Sequence, residues 1–436
     1  MTKRTRTILF LICFLLFLLA APSAILYSQG YRFDFENKKL TQTGGLFLKI
    51  IPKQAEIYLD GKLIKKTDFF FGSALIENLL PKKYKIEIKK EGYHLWEKNL
   101  EIREKQVTEV KNIILFPESP TFNILVSGIK DFWPSPDEKK IILKDATLPP
   151  PDKEVWSLKL YDLEKNVKSH LISEKDIYLK GADLLNLEFS SDSKEIYLDI
   201  GMKEQLKYFT LTIDKTPPIL TEKEITPIPE NIIASQILNG NNYYLDNSGH
   251  LFKVDERSFI STPRSAWVNE ERLTEKSFPV KAETEYTLEI FPNSLFLRES
   301  QTLYQLNPDS KIFEKFFENL NSLKISPGLK KLVYFSNYEI WILFLKDSDP
   351  PLTHRRGDRV FLVRLSEKID NVFWLNSDYL IFNTGNKIKI AEIDDRDRIN
   401  IVDFAEFKEL KIYFNQTNKK LYILSEGSLF VSEKLF

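Results

Sequence analysis

Two stretches of this sequence, "FWPSPDEKKIILKD" at 132–145 and "LEFSSDSKEIYLDI" at 187–200, follow one pattern. In each, an apolar run leads into a turn rich in Ser, Asp and Lys, and a second run then alternates apolar and polar residues. Alternation with a period of two between turn residues is typical of half-buried antiparallel strands. The pair therefore indicates a repeated β unit.

The same template recurs toward the C-terminus, with copies beginning at 237, 290, 323, 372 and 412. A spacing of roughly 45 residues suits a four-stranded propeller blade, whereas a helical solenoid would show a period of 3.6. We therefore expect a mainly β protein in which residues 118–436 form a β-propeller of about seven blades.

The last copy supplies three strand candidates and the sequence then ends at Phe436, so one strand of its blade is missing. The unassigned run "TFNILVSGI" at 121–129 alternates well enough to supply it. We predict that this run pairs with the last blade and closes the ring, because an open ring would expose two sheet edges. Closure in this way would place the preceding domain at the rim between the first and last blades.

The turns "SPDEKKIIL" at 135–143 and "SSDSKEIYL" at 190–198 resemble the blade signature of TolB-type, WD-repeat-like propellers. Asp137 and Asp192 match the signature's Asp, whose short side chain caps its own turn. Glu138 and Ser193 stand where the signature has Gly. The resemblance implies a propeller that presents loops from a rigid scaffold.

A smaller β unit precedes the repeat, at 45–117, and begins with "IPKQAEIYLDGKLI" at 51–64. Its runs alternate around the Asp60-Gly61 pair, which is typical of a hairpin turn. Together with "LPKKYKIEIKKEGY" at 80–93 and Trp96, these runs resemble the PEGA domain. The resemblance implies a small β-sandwich, which would act as a stiff spacer.

The N-terminus carries a long apolar run that predicts a membrane-spanning helix. We expect a cytoplasmic tail at 1–6, an uncleaved transmembrane helix at 7–27 and a juxtamembrane segment at 28–44. Basic residues before the run, and Tyr27 and Tyr31 after it, fit the positive-inside rule with an aromatic belt on the far side.

The bulk of the chain is then expected outside the cytoplasm of a single-pass membrane protein in the cell envelope. The alternative is a signal peptide cleaved at the small residues before Ala24.

Composition excludes several classes of function. Lys plus Arg and Asp plus Glu both number 62, so the net charge is zero and no basic field attracts nucleic acid. The single cysteine, Cys13, lies in the apolar N-terminal run, so neither an intrachain disulfide nor a Cys-based zinc site is expected. No cofactor motif occurs, and we expect no cofactor.

No catalytic, cofactor-binding or metal-ligating residue is predicted. The four histidines stand far apart in the sequence, outside any metal-ligand spacing, and are expected on the surface or in turns. They are His94, His170, His250 and His354. We therefore expect that the protein is not an enzyme, although carboxylates could still converge in a propeller channel.

Four other features are weighed for binding. Phe69, Phe70 and Phe71 form a row, of which Phe69 and Phe71 are expected in the core, with an exposed lipid or protein contact as the alternative. "DDRDR" at 394–398 is expected to be a solvated blade edge, with an ion or partner site as the alternative. The RGD triplet Arg356-Gly357-Asp358 is expected to occur by chance and not to mediate adhesion. The Pro-rich loops near 145–154 and 215–230 are interpreted as long insertions, in which ligand binding is expected.

These features predict a membrane-anchored, extracytoplasmic binding or scaffold protein. A PEGA-like spacer would present the propeller to a protein or a cell-envelope glycan, while the ligand-binding residues stay unassigned. The alternatives are a propeller hydrolase or lyase acting on envelope polymers, and a structural surface-layer component. Converging carboxylates in the channel would favour the enzyme, and an aromatic patch on the propeller would favour the binding protein.

Overall fold

The described residues form an N-terminal helix, a short hairpin, a small β-sandwich and a ring of seven four-stranded sheets. The computed structural model describes residues 3–35, 37–145, 156–177, 181–202, 205–223, 231–255, 269–292, 294–350 and 353–436. Strands dominate these residues, as the alternating sequence pattern predicts.

Helix α1 spans Lys3–Ser28 and includes Pro22. Within its Arg4–Ser28 stretch, an 18-residue window has a mean hydropathy of 2.8 and is not covered by other parts of the chain. By length and composition the helix can cross a membrane. The helix is continuous through Ala24, where cleavage was the alternative.

A short hairpin and a two-sheet sandwich follow the helix. The hairpin pairs β1 (Tyr31–Asp34) with β2 (Lys39–Gln42). The sandwich strands are β3 (Gly44–Ile51), β4 (Glu56–Leu59), β5 (Lys62–Lys66), β6 (Ser73–Leu79), β7 (Lys83–Lys89), β8 (Trp96–Glu101) and β9 (Val107–Ile114). One sheet has the order β5-β4-β7-β8 and the other β6-β3-β9.

The sandwich core is built from the inward-facing residues of both sheets. It includes Leu46, Leu48, Ile57, Ile86, Ile88, Trp96, Leu100 and Val110. Strands β3 and β9 pair in parallel, whereas the other pairs are antiparallel. Strands β5 and β6 are the edges on one side, and β8 and β9 are the edges on the other.

The first four blades each follow the strand order of the sequence. The first blade contains β11 (Ile129–Pro134), β12 (Lys140–Asp145), β13 (Ser157–Asp162) and β14 (Val167–Ser173), and the second contains β15 (Asp183–Phe189), β16 (Glu195–Met202), β17 (Gln205–Thr212) and β18 (Ile219–Glu222). The third blade contains β19 (Ile232–Leu238), β20 (Asn241–Asp246), β21 (Leu251–Asp255) and β22 (Glu271–Arg272). The fourth contains β23 (Tyr286–Phe291), β24 (Ser294–Glu299), β25 (Thr302–Leu306) and β26 (Phe313–Phe317). A 3₁₀ helix, Glu174–Ile177, follows the first blade.

Two further blades precede the closing one. They are β27 (Ser322–Ile325), β28 (Lys331–Phe335), β29 (Glu339–Phe344) and β30 (Arg359–Arg364); and β31 (Ile369–Trp374), β32 (Tyr379–Thr384), β33 (Lys387–Glu392) and β34 (Ile401–Glu406). The first strands of neighbouring blades contact each other, for example through Lys411 and Asp131. The first strand of each blade is therefore the innermost.

The seventh blade closes the ring as the sequence predicts. Its strands are β35 (Lys411–Asn415), β36 (Lys420–Ser425), β37 (Ser428–Ser432) and, from the start of the domain, β10 (Phe122–Ser127). Strand β10 pairs antiparallel with β37, and Phe122 lies opposite Ser432. The predicted pairing of 121–129 with the last blade is confirmed, and it unites the two ends of the propeller.

The blade turns explain why the signature glycine is replaced. Asp137 and Asp192 cap their own turns, as expected, by accepting from the backbone two residues on, at 3.1 and 3.2 Å. Glu138 and Ser193 adopt positive φ, 60° and 59°, the region that favours Gly. Their side chains link blades: Glu138 Oε2 accepts from Thr417, and Ser193 Oγ accepts from the Asp137 amide at 3.0 Å. Interblade bonds offset the backbone strain.

The Asp60-Gly61 turn joins β4 to β5 with both residues at positive φ, 48° and 77°. Asp60 Oδ1 also accepts from the Lys85 amide at 3.0 Å. We expect Asp60→Ala with Gly61→Ala to destabilise the sandwich by about 2 kcal/mol, because alanine resists positive φ at both positions.

Thermal unfolding of the full chain measures this effect. The matched control is Gly92→Ala, a single positive-φ glycine with open space around it. A double variant no less stable than Gly92→Ala would contradict the assignment.

The expectation that Phe69 and Phe71 lie in the core is wrong. The Phe69, Phe70 and Phe71 side chains are 65%, 74% and 75% exposed. They occupy a turn between β5 and β6, where the Asp68 carboxylate accepts from the amides of Phe70 and Phe71. These hydrogen bonds hold the pKa of Asp68 well below its usual range. A turn rather than a strand carries the row, so alternation does not decide its burial.

Candidate functional site

A groove of about 990 Å³ lies between the fourth and fifth blades, and we call it the aromatic groove. The outermost strand of the fourth blade, β26, supplies Phe316 and Phe317. The fifth blade supplies Trp341 from β29 and Arg359 from β30. Because the outer strands line it, the groove is on the rim of the propeller and away from the central channel.

Arg359 is held among aromatic rings in the groove. Its Cζ lies 4.4 Å from the centroid of Phe316 and 5.6 Å from that of Trp341. Its Nε donates to Tyr334 Oη at 2.8 Å. Tyr334 is fully buried, and burial raises its pKa, so the hydroxyl stays protonated at neutral pH. In the described part of the chain, the two terminal nitrogens of Arg359 have no hydrogen-bond partner.

The other charges of the aromatic groove are paired within the protein. Glu339 accepts from Trp341 Nε1 at 3.0 Å and from Arg364 Nε at 2.8 Å. These hydrogen bonds, first that of Trp341, lower the pKa of Glu339. Lys315 forms an ion pair with Glu318. Arg359 is therefore the uncompensated charge among the described residues that line the groove.

The arrangement suits the binding of an anion next to an apolar or ring-shaped group. An Arg guanidinium with both terminal nitrogens available binds a carboxylate through two parallel hydrogen bonds. The neighbouring rings supply a rigid apolar surface, and Tyr338 and Phe361 extend it at the rim, 50% and 45% exposed. No nucleophile paired with a base occurs among the residues lining the groove.

A second site joins the sandwich to the propeller, and we call it the junction. Lys98 of β8 is 1% exposed, and its Nζ lies 2.6 Å from Glu392 Oε1. The same Nζ donates to the carbonyls of Asp394 and Arg398. Glu392 Oε2 accepts from Trp96 Nε1 at 2.8 Å. Burial raises the pKa of Glu392, and the charge of Lys98 opposes that rise. The pair is therefore fully hydrogen-bonded inside the protein.

The junction overturns the expectation that "DDRDR" at 394–398 is a solvated blade edge. Asp397 Oδ2 accepts from the Asn99 amide at 2.7 Å, and Arg396 Nη1 donates to the Glu109 carbonyl at 2.9 Å. Burial would raise the pKa of Asp394, but the hydrogen bonds and charge of Arg396 hold it below the usual value. The cluster lies in the connection between β33 and β34, and this connection contacts β8 and β9 of the sandwich.

The position of the sandwich also differs from the prediction. It packs against the sixth blade rather than at the rim between the first and last blades. Asn112 Nδ2 donates to Asp378 Oδ2 at 2.7 Å, and the Ile114 amide donates to Tyr379 Oη at 3.0 Å. Tyr379 belongs to β32 of the sixth blade. Polar groups on β8 and β9 hydrogen-bond to the sixth blade. These contacts, and not the point at which the chain enters the propeller at β10, set the position of the sandwich.

The four histidines have different surroundings. His170 is on β14, and its side chain is 55% exposed. His250 lies in the turn between β20 and β21, as expected, and its amide donates to Asp246 Oδ1. His354 Nε2 lies 2.9 Å from Asp395 Oδ1, and its ring stacks on Phe344. His94 is half-buried at the junction.

The RGD triplet folds back on its own loop. Arg356 donates its amide to Asp347 Oδ1, and Asp358 Oδ2 accepts from the Arg355 amide, at 2.8 and 2.7 Å. The Gly357 amide donates to the Phe344 carbonyl. The loop is therefore anchored on the fifth blade.

The inner strands carry charges that are held by neighbouring blades. Lys411 Nζ lies 2.6 Å from Asp131 Oδ1, and Lys324 Nζ lies 3.6 Å from the Phe373 centroid. Burial lowers the pKa of Lys324 to about 8. Within the described ranges, no three His, Cys, Asp or Glu side chains are placed to hold a metal ion.

Parts of the two Pro-rich loops, 146–155 and 224–230, lie outside the described residues. Their predicted role in binding stays a prediction.

Sequence reasoning missed the aromatic groove because its residues come from separate strands and turns between 301 and 365. The one available signal was the aromatic density of "FEKFF" at 313–317.

Comparison with known protein families gives a match over the sandwich. Residues 43–114 match the PEGA domain. Comparison with curated protein sequences gives no match.

Among solved structures, the chain is similar to the β-propeller domain of Cps50 (Swd1) from Myceliophteria thermophila. The identity is 12%, with 71% of this chain and 99% of that chain covered, and the TM-score is 0.40. It is also similar to YCF48 from Cyanidioschyzon merolae, at 10% identity, 72% and 98% coverage and a TM-score of 0.41.

The strand order identifies the propeller. Within the described ranges, seven four-stranded sheets follow the sandwich, and strand β10 from the start of the domain completes the last of them. The protein therefore combines an N-terminal apolar helix, a PEGA domain at residues 43–114 and a seven-bladed β-propeller.

Proposed function

We propose that the protein is a membrane-anchored, extracytoplasmic scaffold that binds a carboxylate-bearing protein or cell-envelope glycan in the aromatic groove. The observation that carries this proposal is Arg359, stacked on Phe316 and held by Tyr334, with its terminal nitrogens directed to no partner among the described residues. An uncompensated, preorganised cation in an aromatic groove favours an anionic ligand.

The proposed anchor is α1, with its N-terminus in the cytoplasm. The helix continues past the alternative cleavage site and is tied to the next segment, since Arg32 Nη1 donates to the Tyr27 carbonyl at 2.9 Å. The Arg32 Cζ also lies 3.5 Å from the Tyr27 ring centroid.

The PEGA domain would act as a rigid spacer. The junction supports this role because its hydrogen bonds hold the sixth blade to β8 and β9 with a buried ion pair at the centre. Hydrogen bonds around a buried ion pair would hold the two domains in one relative orientation. The groove would then be presented at a fixed orientation to the anchor.

We propose binding without catalysis. The groove combines aromatic rings, a guanidinium whose terminal nitrogens have no partner among the described residues, and carboxylates that are paired with cations, an arrangement that suits recognition. The inner-strand carboxylate Asp131 is already held in an ion pair with Lys411, at 2.6 Å.

Arg359→Gln is expected to weaken ligand binding by about 10- to 100-fold, because it removes a charge-assisted hydrogen-bond pair. Binding can be measured in whole cells with a photo-crosslinking residue in place of Phe361, beside the groove. The same residue in place of Leu206, which is exposed on the second blade, gives the positional control.

We expect adducts from position 361 that are lost in Arg359→Gln and retained in Arg355→Gln, an exposed arginine outside the groove. Mass spectrometry of the adducts distinguishes a protein partner from a glycan. Equal capture from position 206, or capture unaffected by Arg359→Gln, would contradict binding in the groove.

A further inference from the structure

We infer that the hairpin of β1 and β2 lies in the headgroup layer of the bilayer that holds α1, with its apolar face inserted among the lipids. This inference rests on the membrane anchor of the proposed function. It adds a second attachment point, which would set the tilt of the rigid PEGA–propeller body on the membrane.

The hairpin exposes its apolar face and buries its polar face, whereas a hairpin of a soluble protein usually does the opposite. Phe33 pairs with Leu40 across the hairpin, and both are about half exposed, at 49% and 48%. Phe35, at the start of the turn, is 82% exposed, and its ring packs against Phe33 at 5.1 Å. The hairpin therefore presents a contiguous aromatic surface away from the protein.

The polar face is turned toward the protein. Asp34 and Thr41 are 6% and 3% exposed. Arg32, paired with Thr41, reaches the PEGA domain, where its Nη2 donates to Asn78 Oδ1 at 2.8 Å. Water would favour the opposite arrangement, so the exposed face requires an apolar environment of its own.

The bilayer is the occupant that the geometry supplies. Only Gln29 and Gly30 separate the end of α1 from β1, and this link spans at most about 10 Å. That reach keeps the hairpin beside the hydrocarbon core, where aromatic side chains concentrate. The Thr43 amide donates to the Gly30 carbonyl at 2.9 Å and fixes the base of the hairpin. Lys38 in the turn is exposed and complements anionic headgroups.

The test uses the full chain with Cys13→Ala, reconstituted into vesicles of phosphatidylcholine and phosphatidylglycerol. A nitroxide is attached at Phe35→Cys, and collision with oxygen, which enters lipid, is compared with collision with a water-soluble nickel complex. Phe70→Cys is the matched control, since Phe70 is an exposed phenylalanine beyond the far end of β6, about 20 Å along that strand. Leu15→Cys reports whether α1 is in the bilayer.

We expect the ratio of oxygen to nickel accessibility at position 35 to exceed that at position 70 by about tenfold, because a polar complex is excluded from an apolar layer. A ratio at 35 equal to that at 70, with 15 in lipid, would overturn the inference and leave the anchor standing. Spin–spin broadening at 35 would indicate a second copy as the occupant and also overturn it. Water accessibility at 15 would overturn the anchor and the inference together.

Discussion

Lys98→Met is expected to lower the free energy of unfolding by about 3–5 kcal/mol, because it leaves Glu392 buried without its cation. In the native protein Lys98 has three acceptors: a carboxylate oxygen of Glu392 and the carbonyls of Asp394 and Arg398. Methionine fills similar space but satisfies none of them. Thermal and denaturant unfolding of the full chain measure the loss.

The loss should depend on pH. Burial raises the pKa of Glu392 in the native state, and removing Lys98 removes the charge that opposes this rise. A folded-state carboxyl pKa above its unfolded value makes stability fall as pH rises through it. Lys98→Met should therefore lose more stability at pH 8 than at pH 5.

Two variants control this result. Lys98→Met with Glu392→Met removes both charges and should recover much of the stability. Lys85→Met removes a half-exposed partner of Glu87 and should cost far less stability than Lys98→Met, because an exposed ion pair contributes little. If Lys98→Met is as stable as Lys85→Met, the buried pair does not hold the junction.

Val126→Asp is expected to destabilise the propeller by about 3–5 kcal/mol and to promote aggregation. Val126 is on the closing strand β10, 8% exposed, and packs with Leu424 and Leu429 of the last blade. An aspartate there loses apolar burial and places a charge in the core. Displacing β10 would also expose β37 as an open sheet edge. Unfolding and size-exclusion chromatography of the full chain measure both effects.

Ile124→Asp provides a control on the same strand. Ile124 is 61% exposed, so the same charge there should change stability by no more than about 0.5 kcal/mol. Equal effects at 124 and 126 would indicate that β10 tolerates no charge on either face. Equal stability of Val126→Asp and the unaltered protein would show that the ring does not depend on β10.

The sequence by itself determined the features that depend on neighbouring residues. Alternation with a period of two predicted the strands, and the short polar side chains of Asp137 and Asp192 predicted the blade turns that the structure contains. The Asp60-Gly61 pair predicted a turn at positive φ. Counting strands per blade predicted that 121–129 closes the ring. Each of these follows from local backbone preferences or from the need to pair a sheet edge.

Only the tertiary structure decided which polar and aromatic residues have a role. Trp96 and Glu392 are separated by 296 positions, yet they meet at the junction, and the charged run 394–398 docks a domain instead of facing solvent. Phe69–Phe71 are exposed because a turn carries them, and Arg359 lies against the Phe316 ring of the neighbouring blade. Burial of a charge or an aromatic ring depends on surfaces that come together after the strands have formed, so no local pattern in the sequence specifies it.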